Sequence, residues 1–383
     1  MNIAFVSTMT ADPWGGSEVL WSETCRRLAS QGHKATIAYR YWPTLPAPIQ
    51  ALVDDFKIDV FPLGRRHPLA QRIGRRFLQE VGLVRPVSRA QDWLRRVNPD
   101  LLCISNGVAF EDAPWMEMAV AERVPFVTIT QANTEVVWPS DQRATQLIAL
   151  LSAARKCFFV SHGNLKLAQT QLGAQLRNAE VVSNHSGALW SADTPWPNCQ
   201  AGTWRLACVG RLYPPAKGQD LLIDVLRQPQ WRARSLLVSF YGAGPHEQCL
   251  RRLVEASVLE QQVRFCGHVS DVAQVWRDNH ALILPSRAEG LPLALIEALL
   301  CGRTAIVTDV AGNAEVVEHG VTGFVAEAPA VRPLARAMEE AWSARDRWRE
   351  MGERASETIR KQIPEDPAAV LGEKILQLAM QTA

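Results

Sequence analysis

Two glutamates at a short, fixed spacing are the first residues whose chemistry stands out. In the segment Ser286-Arg287-Ala288-Glu289-Gly290-Leu291-Pro292-Leu293-Ala294-Leu295-Ile296-Glu297-Ala298, Glu289 and Glu297 have seven residues between them. The apolar run Ala281–Pro285 just before reads as a buried strand, which puts Glu289 in the loop that follows. With Pro292 at the start of a helix, Glu297 lies about 7–8 Å further along the axis at 1.5 Å per residue. Backbone N–H groups of Gly290, Leu291 and Leu293 surround that helix N-terminus, a setting that favours an anion. One carboxylate at the mouth and another a turn and a half deeper would hydrogen-bond two different sugar rings. The plainer alternative for an isolated pair is a solvated Glu297, with Glu289 complementing the helix dipole.

Two cations accompany the pair. Val209-Gly210-Arg211-Leu212 closes an apolar run, and Lys217-Gly218 opens the next element, so Arg211 and Lys217 flank a proline-rich turn. At a strand's carboxyl end such cations suit a diphosphate, Arg as a planar fork and Lys as a point charge.

The elements that must position these groups follow one pattern: short apolar run, turn, amphipathic helix. Strand Asn2–Ser7 leads through Ala11-Asp12-Pro13-Trp14-Gly15-Gly16 to a helix over about Ser17–Ser30, whose Leu20, Thr24, Cys25, Leu28 and Ala29 share one face. Further strands are expected at 35–39, 101–105, 125–130, 157–161 and 180–183. Composition shifts at Ala188–Gly202, where Pro195, Pro197 and two tryptophans break the period and mark a linker. The pattern then restarts with strands at 205–210, 236–241, 263–266, 281–285 and 304–308, and a helix over about 292–300. The expected architecture is α/β, two Rossmann-like domains facing each other across a cleft at the carboxyl ends of parallel strands. The boundaries read as 1–198 and 199–365, with a final helix, 366–383, broken off by Pro364 and Pro367 and returning to the first domain.

Composition narrows the classes. Forty-one lysines and arginines against 39 aspartates and glutamates give +2, which speaks against nucleic acid as a partner. No window of eighteen apolar residues suggests a membrane span. The start, Met1-Asn2-Ile3-Ala4-Phe5-Val6, reads as a first strand and not a signal peptide. The eight cysteines form no CxxC pair, and several, including Cys208 and Cys266, sit in apolar runs. Buried thiols of a cytoplasmic protein are the expected reading. Between Arg65 and Arg96 stand nine arginines against Glu80 and Asp92, a face suited to an anionic membrane surface or to solvent.

The combination resembles the retaining glycosyltransferases of family four. It is carried by Gly210-Arg211 with Lys217, by Gly242-Ala243-Gly244-Pro245, and by the Glu289–Glu297 block with Asp309-Val310-Ala311-Gly312-Asn313-Ala314-Glu315; Gly15-Gly16-Ser17-Glu18 matches the family's N-terminal glycine loop. The resemblance implies the two-domain GT-B fold, a nucleotide-diphosphate sugar donor (UDP- or GDP-sugar), a glycan or lipid-linked acceptor, and no catalytic metal or other cofactor. It implies that Arg211 and Lys217 hold the diphosphate, that Glu297 meets the ribose, and that Glu289 faces the transferred sugar. Gly290, Leu291 and Leu293 would orient its hydroxyls and phosphates. His268 and Val269 would line the base, and Gly15 and Gly16 would let the first domain's backbone approach the phosphates. A peripheral position at the inner face of the membrane fits relatives that extend membrane glycans.

One position departs from the pattern. Many relatives carry a histidine where this sequence has Gln131. A glutamine is no general base but hydrogen-bonds a hydroxyl, and in a front-face retaining mechanism the leaving phosphate accepts the proton. Gln131 keeps open a non-catalytic nucleotide-sugar sensor or scaffold. A nucleotide-sugar epimerase on the same architecture would need further acid/base carboxylates in the first domain, and none is identified. Gly242-Ala243-Gly244 continues Pro245-His246-Glu247, lacking the third glycine of a dinucleotide fingerprint, which argues against a dehydrogenase. His33 sits at a helix-to-strand turn, His162 and His185 follow strand ends, and Trp14 and Trp138 are candidates to stack on sugar faces.

Overall fold

The computed structural model describes residues 1–10, 12–64, 89–184, 189–198 and 202–381. Among the described residues, thirteen strands fall into two parallel sheets. The first contains β1 (Asn2–Ser7), β2 (Lys34–Arg40), β3 (Asp59–Leu63), β4 (Leu101–Asn106), β5 (Phe126–Thr130), β6 (Lys156–Phe159) and β7 (Ala179–Val181) in the order β3-β2-β1-β4-β5-β6-β7. The second contains β8 (Trp204–Val209), β9 (Leu236–Tyr241), β10 (Val263–Gly267), β11 (Ala281–Leu284), β12 (Thr304–Thr308) and β13 (Gly323–Ala326) in the order β10-β9-β8-β11-β12-β13. The expectation of two Rossmann-like units is met.

Alternation explains why the strands read as continuous apolar runs. Ile3 and Phe5 pack to one side of β1 with Leu20, Trp21, Cys25 and Leu28 of the helix Gly16–Ser30. Ala4 and Val6 pack to the other with Trp93, Leu102 and Trp115. Helices on both faces leave neither face of the strand in water. The core on the Ile3 side continues into the second unit through Leu282, Leu284, Leu295 and Ile296, so the two halves share apolar contact.

Each sheet reverses direction once. The chain leaves β1 for β2 and β3, then returns to pair β4 against β1; likewise β11 returns to pair with β8. Loops leaving the carboxyl ends of β1 and β4, and of β8 and β11, therefore diverge to opposite sides and open a crevice at each switch point.

Two sequence expectations need correction. Strands β3 and β13 were not expected; both are short edge strands, and β3 carries Pro62, tolerable only at an edge. Cys266 is exposed and not buried, because β10 is also an edge strand and its outer face meets water. Cys249 is exposed too, on the helix Glu247–Ala256. Part of the linker segment is tied to the second unit: the buried Arg303 guanidinium donates to Thr194 O at 3.1 Å and Pro195 O at 2.7 Å.

After Pro364 the chain crosses back. Asp366 N-caps the helix Pro367–Met380 through Ala369 N at 2.9 Å. That helix lies on Gly16–Ser30, where Thr24 Oγ1 donates to Ala368 O at 3.3 Å and Arg27 pairs with Asp366 at 2.5 Å. Of the arginine-rich stretch, residues 65–88 fall outside the described part, as does His185. Of the described remainder, Arg95 forks onto Glu122 at 2.7 and 2.8 Å, and Arg89 lies over Phe61 at 5.5 Å.

Candidate functional site

The loops after β8 and β11 bring the cationic and acidic candidates together. Pro214–Lys217 forms one helical turn, ended by Gly218 in the left-handed region at φ 64°. A Cβ on Gly218 would stand 1.9 Å from Pro285 O, so only glycine lets the β8 loop lie against the end of β11. Arg287 N and Ala288 N donate back to Ala216 O at 2.7 and 3.0 Å. Arg287 forks onto Asp220 at 2.6 and 2.8 Å, tying the same two loops.

This packing delivers Lys217 to Glu289. The ammonium donates to both carboxylate oxygens at 2.7 Å, and Ser286 Oγ donates to Oε1 at 2.7 Å. Glu289 is only 5% exposed, while the lysine side chain is 26% exposed. Two of the three ammonium N–H bonds are thus spent inward and one remains for a ligand. Ser286 is itself held, its carbonyl accepting from Thr308 Oγ1 at 2.6 Å. Neither Ser286 nor the lysine–glutamate pairing was anticipated from sequence.

Arg211 takes the other side of the turn. Gln219 Nε2 holds its carbonyl at 2.8 Å, and its guanidinium stacks on Tyr213 at 4.6 Å. Its Nη1 meets Asp12 Oδ2 at 2.5 Å, and Asp12 belongs to the glycine loop of the other half. The expected diphosphate cation therefore meets the loop that carries Gly15 and Gly16 through its Asp12. The helix after that loop begins at Gly16.

Glu297 is the fifth residue of the helix Leu293–Leu300, N-capped at Pro292. Burial alone pushes its carboxyl up to about 7. Among the described residues no cation pairs with it, and its surface is half-buried, whereas Glu289 is buried and paired with Lys217. A second carboxyl near 7 is Glu18, in the first turn after the glycine loop. There burial outweighs hydrogen bonds from Ser7 at 3.1 Å and Trp21 Nε1 at 3.0 Å.

The halves touch along the strand-end loops. Asn133 forms an antiparallel bridge with Glu289, and a Cβ on Gly290 would lie 1.8 Å from Gln131 O. Glycine at 290 is what lets the β5 and β11 loops meet. Glu315 reaches across to the helix His162–Leu172 and accepts from His162 N at 3.1 Å and Gly163 N at 2.7 Å. A carboxylate on a helix N-terminus is satisfied by free N–H groups and by the dipole. Glu315 stood in the recognised segment without a role; its partners lie 153 and 152 residues away.

Gln131 is buried, and its side chain turns inward. Its Nε2 donates to Ser105 Oγ at 3.4 Å, and its Oε1 accepts from Asn184 Nδ2 at 3.2 Å. His268 is exposed and Val269 half-buried, just past the carboxyl end of β10. Leu291 is buried and Leu293, at the helix start, is half-buried with its side chain near Gly16. Trp138 is exposed beyond β5.

Comparison with known proteins follows the same division. Residues 203–344 match the family model described as glycosyl transferases group 1. Over 131 residues the chain is 34% identical to N-acetyl-alpha-D-glucosaminyl L-malate synthase of Bacillus anthracis, a match that covers 34% of each protein. It is 31% identical over 159 residues to D-inositol 3-phosphate glycosyltransferase of Gordonia bronchialis, covering 38% of this chain and 34% of that one. The match thus spans about a third of these relatives' length. Similarity of fold extends end to end. Anabaena Alr3699/HepE, solved with UDP and glucose, superposes over 100% of both chains with a TM-score of 0.74 at 17% identity. Sucrose-phosphate synthase of Thermosynechococcus elongatus superposes over 99% of both at 0.73 and 16%. Likeness in sequence to the group 1 glycosyltransferases thus lies in the second half, residues 203–344, while the two-unit GT-B fold runs along the whole length of the chain.

Proposed function

We propose that the protein is a retaining glycosyltransferase. It moves a sugar from a UDP- or GDP-sugar to a glycan or lipid-linked acceptor, in the synthesis of cell-surface polysaccharide or glycoconjugate. The observation that carries this reading is the meeting of Arg211, Lys217 and Glu289 at one switch point, opposite the glycine loop. Arg211 and the remaining Lys217 N–H bond to the diphosphate and stabilise the charge that grows on the leaving group, so charge neutralisation needs no metal ion. Glu297 accepts from ribose hydroxyls. Glu289, oriented by Lys217 and Ser286, faces the transferred sugar and the positive charge developing at the anomeric carbon. The acceptor hydroxyl enters from the first half, and its proton passes to the departing phosphate. Gln131, with both ends of its amide engaged, shapes the strand end where the acceptor sits. Membrane contact through residues 65–96 would keep a lipid-linked acceptor within reach.

A calorimetric screen of UDP, GDP and ADP tests the donor class. UDP is expected to bind most tightly, in keeping with the UDP bound to the similar Anabaena protein. Binding by none of the three would overturn the reading. Transfer or slow hydrolysis of the sugar, followed by NMR of the first-formed anomer, tests retention; bound nucleotide without turnover would favour the sensor.

Asp12 gives a second check. Its carboxylate occupies Arg211 before a diphosphate can. The pair is half-exposed, and such pairs are worth about 0.2–1 kcal/mol. Asp12→Asn should therefore tighten UDP binding by roughly 1.4- to 5-fold. Weaker binding in calorimetry would mean that Asp12 positions the arginine instead of competing for it.

A further inference from the structure

Between Asn133 and the helix Asp141–Ala153 runs a loop that presents apolar side chains to water. Val136 is 86% exposed, Val137 47% and Trp138 59%, the one consecutive trio of exposed large apolar residues among those described. Such a cluster on a monomer signals a partner. The loop is also held rigid from beneath. Gln171, buried on the helix His162–Leu172, donates from Nε2 to Thr134 O at 2.8 Å and Val137 O at 2.9 Å. Its Oε1 accepts from Asn133 Nδ2 at 2.8 Å, and Asn133 Oδ1 accepts from Thr134 N at 2.8 Å. Every hydrogen-bonding direction of one buried amide but one lone pair is spent on fixing the backbone under the three apolar residues.

Trp138 adds a chemical discriminator. Its Nε1 donates to Glu135 O at 2.8 Å, so the indole's one donor is turned back into the loop. A tryptophan platform for a sugar works beside polar groups that fix the hydroxyls; here the residues directly before the indole are Val136 and Val137, with the exposed Glu135 and Ser140 at the two ends of the trio. The surface therefore suits hydrocarbon better than a glycan, against the sugar-stacking expected from sequence. Its position is equally pointed. Asn133 bridges to Glu289, and extended chain reaches at most about 11 Å over the three residues to Val136 and about 18 Å over the five to Trp138. A single amphiphile can place its head at the reacting centre and its chain on the loop.

We propose that Val136, Val137 and Trp138 dock the hydrocarbon portion of an amphiphilic acceptor, whose hydroxyl-bearing head enters the cleft. The proposal rests on the glycosyltransferase reading and narrows its acceptor to the lipid-linked class. The probe is a series of hexyl, octyl and decyl β-D-glucosides, each below its micelle threshold, titrated calorimetrically into the full chain. Full burial of a methylene is worth about four-fold in affinity, and a chain covered on one side about half that free energy, so affinity should rise roughly two-fold per added methylene. Val136→Ser/Val137→Ser and Trp138→Ser should each flatten this dependence. A flat series in the wild type, or a slope that survives both variants, overturns the proposal. So does binding to phosphatidylcholine vesicles without binding to the monomeric glucosides, which would make the loop a bilayer contact. UDP is titrated into the wild type in parallel. A flat series with UDP bound sinks this proposal alone, whereas failure of UDP, GDP and ADP to bind sinks the glycosyltransferase reading.

Discussion

Lys217→Ala is expected to lower both stability and nucleotide affinity, through two separable mechanisms. Glu289 is nearly buried and its carboxylate takes two hydrogen bonds from the lysine. Breaking a buried pair by removing one partner costs about 3–5 kcal/mol, because a charge is left uncompensated. Lys217 is partly exposed and Ser286 still donates, so water relieves some of this and about 2–3 kcal/mol is expected. Affinity for a nucleoside diphosphate should fall by a further 1.5–3 kcal/mol, roughly ten- to a hundred-fold, the usual range for a charged hydrogen bond. The double variant Lys217→Ala/Glu289→Gln separates the two. Removing the stranded charge should restore much of the thermal midpoint while UDP binding stays weak. If the double variant regains full UDP affinity in calorimetry, the lysine does nothing more than neutralise Glu289.

Which parts of this site were legible in the sequence follows from range. Arg211 and Lys217 lie within one short window, as do Glu289 and Glu297, and each window follows a strand whose apolar run is unambiguous. Their placement at carboxyl strand ends therefore needed only local pattern. The contacts that close the crevice did not leave such a trace. Asp12 meets Arg211 across 199 positions, which is decided by how two sheets face each other, and Lys217 meets Glu289 across 72, which is decided by β8 and β11 lying side by side in one sheet. The edge strands β3 and β13 escaped for another reason: each is short, and Pro62 and Gly323 argue locally against a strand. Glu297 is the instructive middle case. Leu-Ala-Leu-Ile-Glu-Ala-Leu-Leu is apolar all round but for one charge, and a helix of that kind is buried. Leu295, Ile296 and Ala298–Leu300 are buried as that pattern requires, but Glu297 shares the half-buried side of the helix with Leu293 and Ala294, so the pattern alone overstates its burial.

Burial of Glu297 without a cation leads to the prediction that ties stability to binding. An unperturbed glutamate titrates near 4.3, whereas burial raises this one to about 7. Between those values the folded state holds a proton that the unfolded state has released, so stability must fall as pH rises from about 4.5 to 7 and stay low above that. Glu297→Gln removes the penalty and should raise stability at pH 8 by about 2 kcal/mol while leaving it unchanged near pH 4.5. Glu18 titrates in the same window, so the wild-type slope will not vanish in that variant, only shrink. In the proposed binding mode, ribose hydroxyls donate to the charged form of Glu297, which would draw its carboxyl back down and expel the proton. Nucleotide binding near pH 7 should thus release a substantial fraction of one proton. Calorimetry of UDP in two buffers of different ionisation enthalpy reads that release directly. Glu297→Gln should abolish it and weaken UDP binding by roughly ten-fold, the loss of one charged hydrogen bond. A variant that is more stable at pH 8 but still releases the proton would place the ribose on another carboxylate. One that binds UDP as tightly as the wild type would leave the buried charge without a ligand to justify it.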